Sequence, residues 1–165
     1  MITNYEERSK LTLAEFMGET WFKLEADNGE SKKTTVGFNR SMYKYITGYF
    51  KDDNLDDISP HNVEFCLNYY RKEYIQRTGK KGMEPKTVKH IYSTLDRVFK
   101  CAKRMRYIEE NPMDFVKPPR LPRKEVVALS ESELRILLRA LPSTSDEVRS
   151  MIILFITTGI RRGEL

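Results

Sequence analysis

The most regular pattern in the chain is PKTVKHIYSTLDRVFKCAKRMR, residues 85–106. Apolar residues recur in it every three or four positions, which is the spacing of one face of an α-helix. These apolar residues are Val88, Ile91, Tyr92, Leu95, Val98, Phe99, Ala102 and Met105. The pattern predicts a long helix from Pro85 to about Arg106 that packs one face into a helical bundle.

The opposite face of this helix is basic and hydroxylic. We call it the basic ridge, and it consists of Lys86, His90, Ser93, Arg97 and Arg104. Lysine and arginine pair with phosphates, while serine, histidine and arginine also reach base edges, so the ridge suits a helix in the major groove of DNA. A coiled-coil partner is the competing use, but Asp96 is the only acidic residue between Lys86 and Arg106.

Positive charge is concentrated around this helix. The chain carries a net charge of +5 and has a pI of about 9.1. The stretch from Lys80 to Lys124 has 13 Lys and Arg against 5 Asp and Glu, whereas the remainder has 16 against 19. A concentrated positive field is typical of a surface that binds a polyanion. The alternative is a solvated charged face without a partner.

Composition excludes several other classes of protein. Apolar residues make up 39% and charged residues 32%, which predicts a packed core. The sequence has neither a run of roughly 20 apolar residues nor an apolar secretion signal at its start, so we expect a cytoplasmic protein without a membrane partner. Cys66 and Cys101 lack CxxC spacing and nearby histidines. We interpret both as core residues and expect no metal and no cofactor.

Turn signals divide the rest of the chain into further helices, and strand signals are nearly absent. The other predicted helices run over about 12–26, 31–50, 60–77, 130–141 and 146–158. The second of them has Val36, Asn39 and Ile46 on its apolar side, and its other side carries Lys33, Arg40 and Lys44. Residues 113–127 are rich in proline and basic residues and predict a semi-rigid linker.

The last residues carry a recognisable motif. They read Thr157-Thr158-Gly159-Ile160-Arg161-Arg162-Gly163-Glu164-Leu165 and resemble the T-G-[apolar]-R-x-x-E-L signature of tyrosine recombinases, also called phage integrases. The motif follows a capping-box helix of the form L-S-x-x-E-L and a long apolar helix, in the order that the family shows. The four upstream helices, with Ile108-Glu109-Glu110-Asn111-Pro112 before the basic linker, are similar to the family's core-binding domain.

The resemblance implies a fold and a mode of binding. It implies an all-α protein with a tail at 1–10, a four-helix SAM-like core-binding bundle at 11–112, a linker at 113–128 and the truncated start of a catalytic domain at 129–165. It also implies a C-shaped clamp on duplex DNA in which the second and fourth helices face the DNA. The candidate DNA contacts are Lys33, Arg40, Lys44, Lys86, Lys89, His90, Ser93, Arg97, Arg104, Lys117, Arg120 and Arg123.

The resemblance assigns part of a catalytic site. The family's arginine that matches Arg161 binds the scissile phosphate, to which a planar guanidinium is suited. Glu164 would be buried and would brace the turn of Arg161. The ordinary interpretation of Arg161 is a cation placed favourably after a helix C-terminus. The family's lysine, second arginine and tyrosine nucleophile follow this motif, and all nine tyrosines of the chain precede Arg161. Whether the chain is an enzyme stays open, and we expect it to be inactive alone.

Three functions are compatible with these patterns. The preferred one is DNA recognition for site-specific recombination or integration, with double-stranded DNA as the partner. A non-catalytic DNA-binding regulator or architectural module of the same fold is the alternative, and a helical domain that meets an acidic protein is the third. Full-length relatives act as tetramers on DNA, whereas we expect this chain to be monomeric.

Overall fold

The fold is all-α, as the sequence predicts. The computed structural model describes residues 11–26, 32–122 and 128–164. Helix α1 comprises an α-turn at Leu13–Glu15 and a π-helical segment at Phe16–Ala26. The other helices are α2 at Lys33–Phe50, α3 at Pro60–Lys72, α4 at Pro85–Arg104, α5 at Glu131–Ala140 and α6 at Asp146–Thr158. Short 3-10 turns lie at Leu55–Asp57, Pro112–Phe115 and Leu141–Ser143.

The chain forms two compact units, Met1–Pro122 and Arg123–Leu165. Helices α1 to α4 belong to the first unit, and α5 and α6 belong to the second. The predicted tail at 1–10 and the linker residues 123–127, including Arg123, lie outside the described residues. Within the described ranges, no helix combines the length and the apolar character that crossing a bilayer would need.

Helix α4 supplies the centre of the first unit. Its predicted apolar face is buried, and Val88, Leu95 and Phe99 are fully inaccessible to solvent. Complete burial of such a side chain stabilises the fold by roughly 1.5–3 kcal/mol, so this one face contributes much of the drive for bundle formation. Cys66 and Cys101 are buried, as predicted for core residues, and neither forms a disulfide bond in the described part of the chain.

Helix α1 begins as a regular helix and then widens. A capping box opens it, because the Thr12 amide donates to Glu15 Oε2 over 2.9 Å and the Glu15 amide donates to Thr12 Oγ1 over 3.2 Å. Trp21 is fully buried, as the sequence predicts. Leu24 belongs to the same predicted stripe but is 51% exposed. In a π-helix each amide donates to the carbonyl five residues earlier rather than four. Later side chains therefore point in other directions than α-helical spacing predicts, and Leu24 misses the core.

Helix α3 ends earlier than predicted, at Lys72 rather than near Arg77. The following segment turns back onto the helix, since the Met83 amide donates to the Tyr70 carbonyl over 2.8 Å. Gly82 makes this approach possible: it has a φ of +77°, and a Cβ atom there would lie 2.4 Å from the Arg71 carbonyl oxygen. The helix therefore ends at Lys72, because the residues that follow pack back on α3 instead of adding another helical turn.

The first unit continues beyond Pro112, where the predicted linker begins. Met113 and Val116 are 3% and 5% exposed and pack in the core. Asn111 caps this turn by accepting a hydrogen bond from the Met113 amide over 3.0 Å, and the Tyr92 hydroxyl donates to the Val116 carbonyl over 3.0 Å. The first compact unit runs to Pro122, beyond the boundary predicted at Met113, and the turn at Pro112–Phe115 contacts α4.

The second unit is a pair of capped helices. As predicted, Ser130 and Glu133 form a capping box at the start of α5. Helix α6 ends at Gly159, which has a φ of +67° and suits the left-handed position after a helix. Leu141 is buried, whereas many apolar side chains of the two helices are exposed, among them Ile136 at 66% and Ile153 at 44%.

Candidate nucleic-acid interface

The basic ridge lies on the surface of α4. Lys86, Ser93 and Arg97 are exposed, as are Arg104 and the neighbouring Lys89. His90 is half-buried. The ridge therefore faces away from the core on the side opposite the buried stripe, which is the orientation that the helical periodicity predicts.

Arg97 is held in place by two other helices. Its Nη2 atom donates to Oδ1 of Asn39 in α2 over 3.0 Å. Its guanidinium carbon lies 5.6 Å from the ring centroid of Trp21 in α1, within the range of a cation–π interaction. Arg97 is nevertheless exposed, and a guanidinium has five N–H donors, so donors are left for an external anion or base.

His90 is held by the residue next to Asn39. The rings of His90 and Phe38 meet edge to face, with centroids 4.9 Å apart at an angle of 80°. Two consecutive residues of α2, Phe38 and Asn39, therefore contact two members of the ridge. Sequence reasoning missed both as interface residues. The signal that could have revealed this contact is a polar residue, Asn39, on the apolar side of α2. Asn39 is 1% exposed.

Helix α2 adds its own cations beside the ridge. Lys33, Arg40 and Lys44 are exposed, as predicted. The guanidinium carbon of Arg40 lies 6.0 Å from the ring centroid of Phe22, which places this cation over α1. Helix α2 packs on α4, so these exposed cations and the ridge belong to the same helical bundle.

The exposed side of α2 also contains small residues. Gly37, Ser41, Lys44 and Gly48 follow one another at intervals of four, three and four, which places them on one helical face. A Cβ atom at Gly37 or Gly48 would meet no atom within 4 Å. A glycine inside a helix costs roughly 0.5–1 kcal/mol relative to alanine. Since no contact with the described residues requires these glycines, packing within that part of the chain gives no reason for them.

Few carboxylates neutralise this surface. Lys100 pairs with Asp96 over 2.8 Å, and this hydrogen bond raises the pKa of the Lys100 ammonium group. In the part of the chain that the structure describes, Lys86 and Lys89 form no ion pair. The ridge therefore presents a positive field that an external polyanion would neutralise.

The remaining candidate contacts lie around the ridge. Arg104 is exposed in the last turn of α4, and its Nη2 atom approaches the sulfur of Cys101 at 3.8 Å. Lys117 and Arg120 are exposed on the segment that follows Val116. Val116 is buried and accepts a hydrogen bond from Tyr92. The backbone that leads to Lys117 and Arg120 is therefore fixed to the bundle.

Arg161 and Glu164 form a local pair after α6. The Arg161 amide donates to Glu164 Oε2 over 2.9 Å, and its Nη1 atom lies 3.6 Å from Glu164 Oε1. Glu164 thus holds the turn that carries Arg161. The expectation that it is buried is wrong: its side chain is 53% exposed and that of Arg161 is 86% exposed. The described residues of the second unit supply no layer that would cover this turn.

Across the described ranges, no group of three acidic, histidine or cysteine side chains could hold a metal ion.

Known proteins are similar to this chain in sequence and in fold. The profile of the phage integrase SAM-like domain family matches residues 12–118. A protein named integrase from Saccharopolyspora erythraea is 28% identical over 132 residues, which are 80% of this chain and 28% of that protein. The crystal structure of a lambda integrase dimer bound to a COC′ core site superposes with a TM-score of 0.73 at 23% identity, covering 94% of this chain and 41% of that one. The chain therefore spans less than half the length of either relative.

Proposed function

Because the chain belongs to the phage integrase SAM-like domain family, we propose that its first unit binds duplex DNA as the recognition part of a tyrosine recombinase of a phage or mobile element. The observation that carries this proposal is the exposed basic ridge of α4. Helix α2, which packs on α4, adds further exposed cations to the bundle.

The ridge contains the two kinds of group that DNA recognition needs. Lys86 and Lys89 are exposed and without ion pairs among the described residues, so they suit phosphate oxygens. Arg97 and His90 are held by α2, so their ordering on binding costs less conformational entropy than that of a free side chain. In the major groove, such fixed groups would read base edges while the lysines set the register.

Charge distribution favours DNA over an acidic protein. The excess of positive charge spans the whole stretch from Lys80 to Lys124 rather than one short patch. A duplex offers one negative charge per roughly 1.7 Å of its axis, which matches an extended cationic surface. The glycines of α2 fit the same partner, because a helix without side chains at these positions can approach a groove wall closely.

The second unit would be the start of the catalytic domain. We propose that Arg161 binds the scissile phosphate in the assembled recombinase and that Glu164 holds its turn. Two parallel N–H donors of a guanidinium stabilise the charge that develops on a phosphoryl group. The present chain would bind DNA without cleaving it and would be monomeric, whereas the full-length recombinase would act as a tetramer on DNA.

Binding to a labelled duplex at several salt concentrations tests this function. The logarithm of the association constant should fall linearly with the logarithm of salt concentration, by about 0.9 for each phosphate contacted. Fluorescence anisotropy between about 50 and 200 mM salt covers the range in which such a fall is steep. Binding that is absent, or that is insensitive to salt, would contradict the proposal.

A further inference from the structure

A second cationic site lies outside the basic ridge, where α3 ends and α4 begins. A cleft of about 420 Å³ opens there between the last turn of α3, the first turn of α4 and the segment after Val116. Its walls carry Arg71 from α3 and Lys117 and Arg120 from the segment. Pro85 and Val88 of α4, together with Pro118 and Pro119, complete the lining.

The three cations of this cleft have no counter-charge among the residues that the structure describes. All three are exposed, and none of the described carboxylates lines the cleft. Among the residues that the structure describes, none of the three forms an ion pair. Another cleft, at the start of α3, shows the contrast, since Asp56, Glu109 and other acidic residues line it. Gathering three like charges is unfavourable unless an anion neutralises them.

The backbone that carries these cations is fixed from both sides. Gly82 lets the chain pack directly on the Arg71 carbonyl, where any Cβ atom would clash. On the opposite wall, buried Val116 and its hydrogen bond from Tyr92 hold the residue next to Lys117. The charges thus converge through packing of distant segments, and a preformed site of this kind binds at a lower entropic cost.

We propose that this cleft binds a phosphodiester group of duplex DNA, outside the basic ridge, with Arg71 as its principal donor. This proposal rests on the proposed function and names a further contact for it. A guanidinium presents two parallel donors to a phosphate, and Lys117 and Arg120 add charge from the other wall. Pro85 in the cleft directly precedes Lys86 of the ridge, so both sites begin at the first turn of α4.

Two adjacent cations provide a matched comparison. Arg71 and Lys72 are both exposed in the last turn of α3, and only Arg71 lines the cleft. In the whole chain, Arg71→Ala should weaken duplex binding about threefold to tenfold and reduce the salt slope by about 1. Lys72→Ala removes the same charge and should change affinity less than about twofold, since its side chain does not line the cleft and its charge is exposed to salt.

A double-mutant cycle then asks whether the two walls hold one phosphate. If Arg71 and Lys117 share it, the loss in Arg71→Ala/Lys117→Ala should be clearly smaller than the product of the two single losses. For Lys72→Ala/Lys117→Ala, the loss of affinity should equal the product of the two single losses. Lys117→Ala also probes the cleft from its other wall if Arg71→Ala disturbs α3, which thermal unfolding would detect.

The outcomes separate this inference from the proposed function. Salt-dependent binding by the unaltered chain with equal effects of Arg71→Ala and Lys72→Ala would overturn the cleft and leave the ridge intact. Multiplicative losses in the Arg71/Lys117 cycle would also overturn a shared phosphate. No binding by the unaltered chain would overturn both proposals.

Discussion

Arg97 of α4 donates a hydrogen bond from Nη2 to Oδ1 of Asn39 in α2 over 3.0 Å. The acceptor is buried, at 1% exposure, whereas the donor belongs to an exposed residue of the basic ridge. A residue inside the bundle therefore orients a cation outside it, and the ring of Trp21 supports the same guanidinium. Hydrogen bonds to charged groups stabilise by roughly 1.5–3 kcal/mol, enough to restrict a long side chain.

Asn39→Ala should impair both stability and DNA binding. Loss of the buried acceptor is expected to lower the free energy of unfolding by about 1–3 kcal/mol, and a freed Arg97 would pay more entropy on binding. Denaturant unfolding and duplex titration measure the two effects. In an Arg97→Ala background, Asn39→Ala should have little further effect on affinity. An undiminished further loss would show that Asn39 does not act through Arg97.

Gly37→Ala and Gly48→Ala should change stability and binding in opposite directions. Alanine at these positions meets no neighbouring atom and favours the helix, so each change should raise the free energy of unfolding by roughly 0.5–1 kcal/mol. The added methyl group would hinder close approach of DNA and weaken binding. Thermal unfolding and anisotropy test this pair of outcomes, and higher stability with unchanged affinity would remove α2 from the interface.

Lys86→Ala and Lys100→Ala should differ although both remove one charge from α4. Lys86 has no ion pair among the described residues, so its loss should reduce the salt slope of binding by about 1. Lys100 is already paired with Asp96 over 2.8 Å. Loss of Lys100 should therefore reduce the salt slope of binding by less than loss of Lys86. Equal slopes for the two variants, measured over the same salt range, would contradict the placement of DNA along the ridge.

Gly82→Ala should be far more damaging than Gly79→Ala. Both glycines have a φ of +77°, so each substitution strains the backbone by about 1 kcal/mol. Only at Gly82 would the new Cβ atom also meet a backbone oxygen, that of Arg71 at 2.4 Å. We expect an additional loss of about 1–3 kcal/mol in denaturant unfolding. Similar losses in both variants would mean that the loop can move away from α3.

Acid should weaken the cap of α1. Hydrogen bonds from the Thr12 amide and hydroxyl hold the pKa of Glu15 below its usual 4.5. A carboxyl with a lowered folded-state pKa contributes stability that is present above about pH 4.5 and is lost as pH falls through the folded value. Glu15→Gln keeps an acceptor without a titrating group. The difference in melting temperature between the two proteins should shrink below pH 4.5, and a constant difference would refute this coupling.

Some features of the chain follow from residues close together in sequence. The apolar period of residues 85–106 predicts α4 and its buried face, and the serine and glutamate three positions apart predict the start of α5. The ridge of exposed cations follows from the same period. These features need no tertiary information, since helical periodicity and capping act over one to four residues.

Other features required distant segments to dock. Arg97 and Asn39 are 58 positions apart, so no local pattern pairs them. Arg71 and Lys117 line one cleft because Gly82 turns the chain onto α3 and Val116 enters the core. The composition of 113–122 predicts a linker, yet burial of Met113 and Val116 overrides it. Packing energy is gained where separate surfaces fit, and a linear pattern specifies which face of a helix is apolar but not which neighbour covers it.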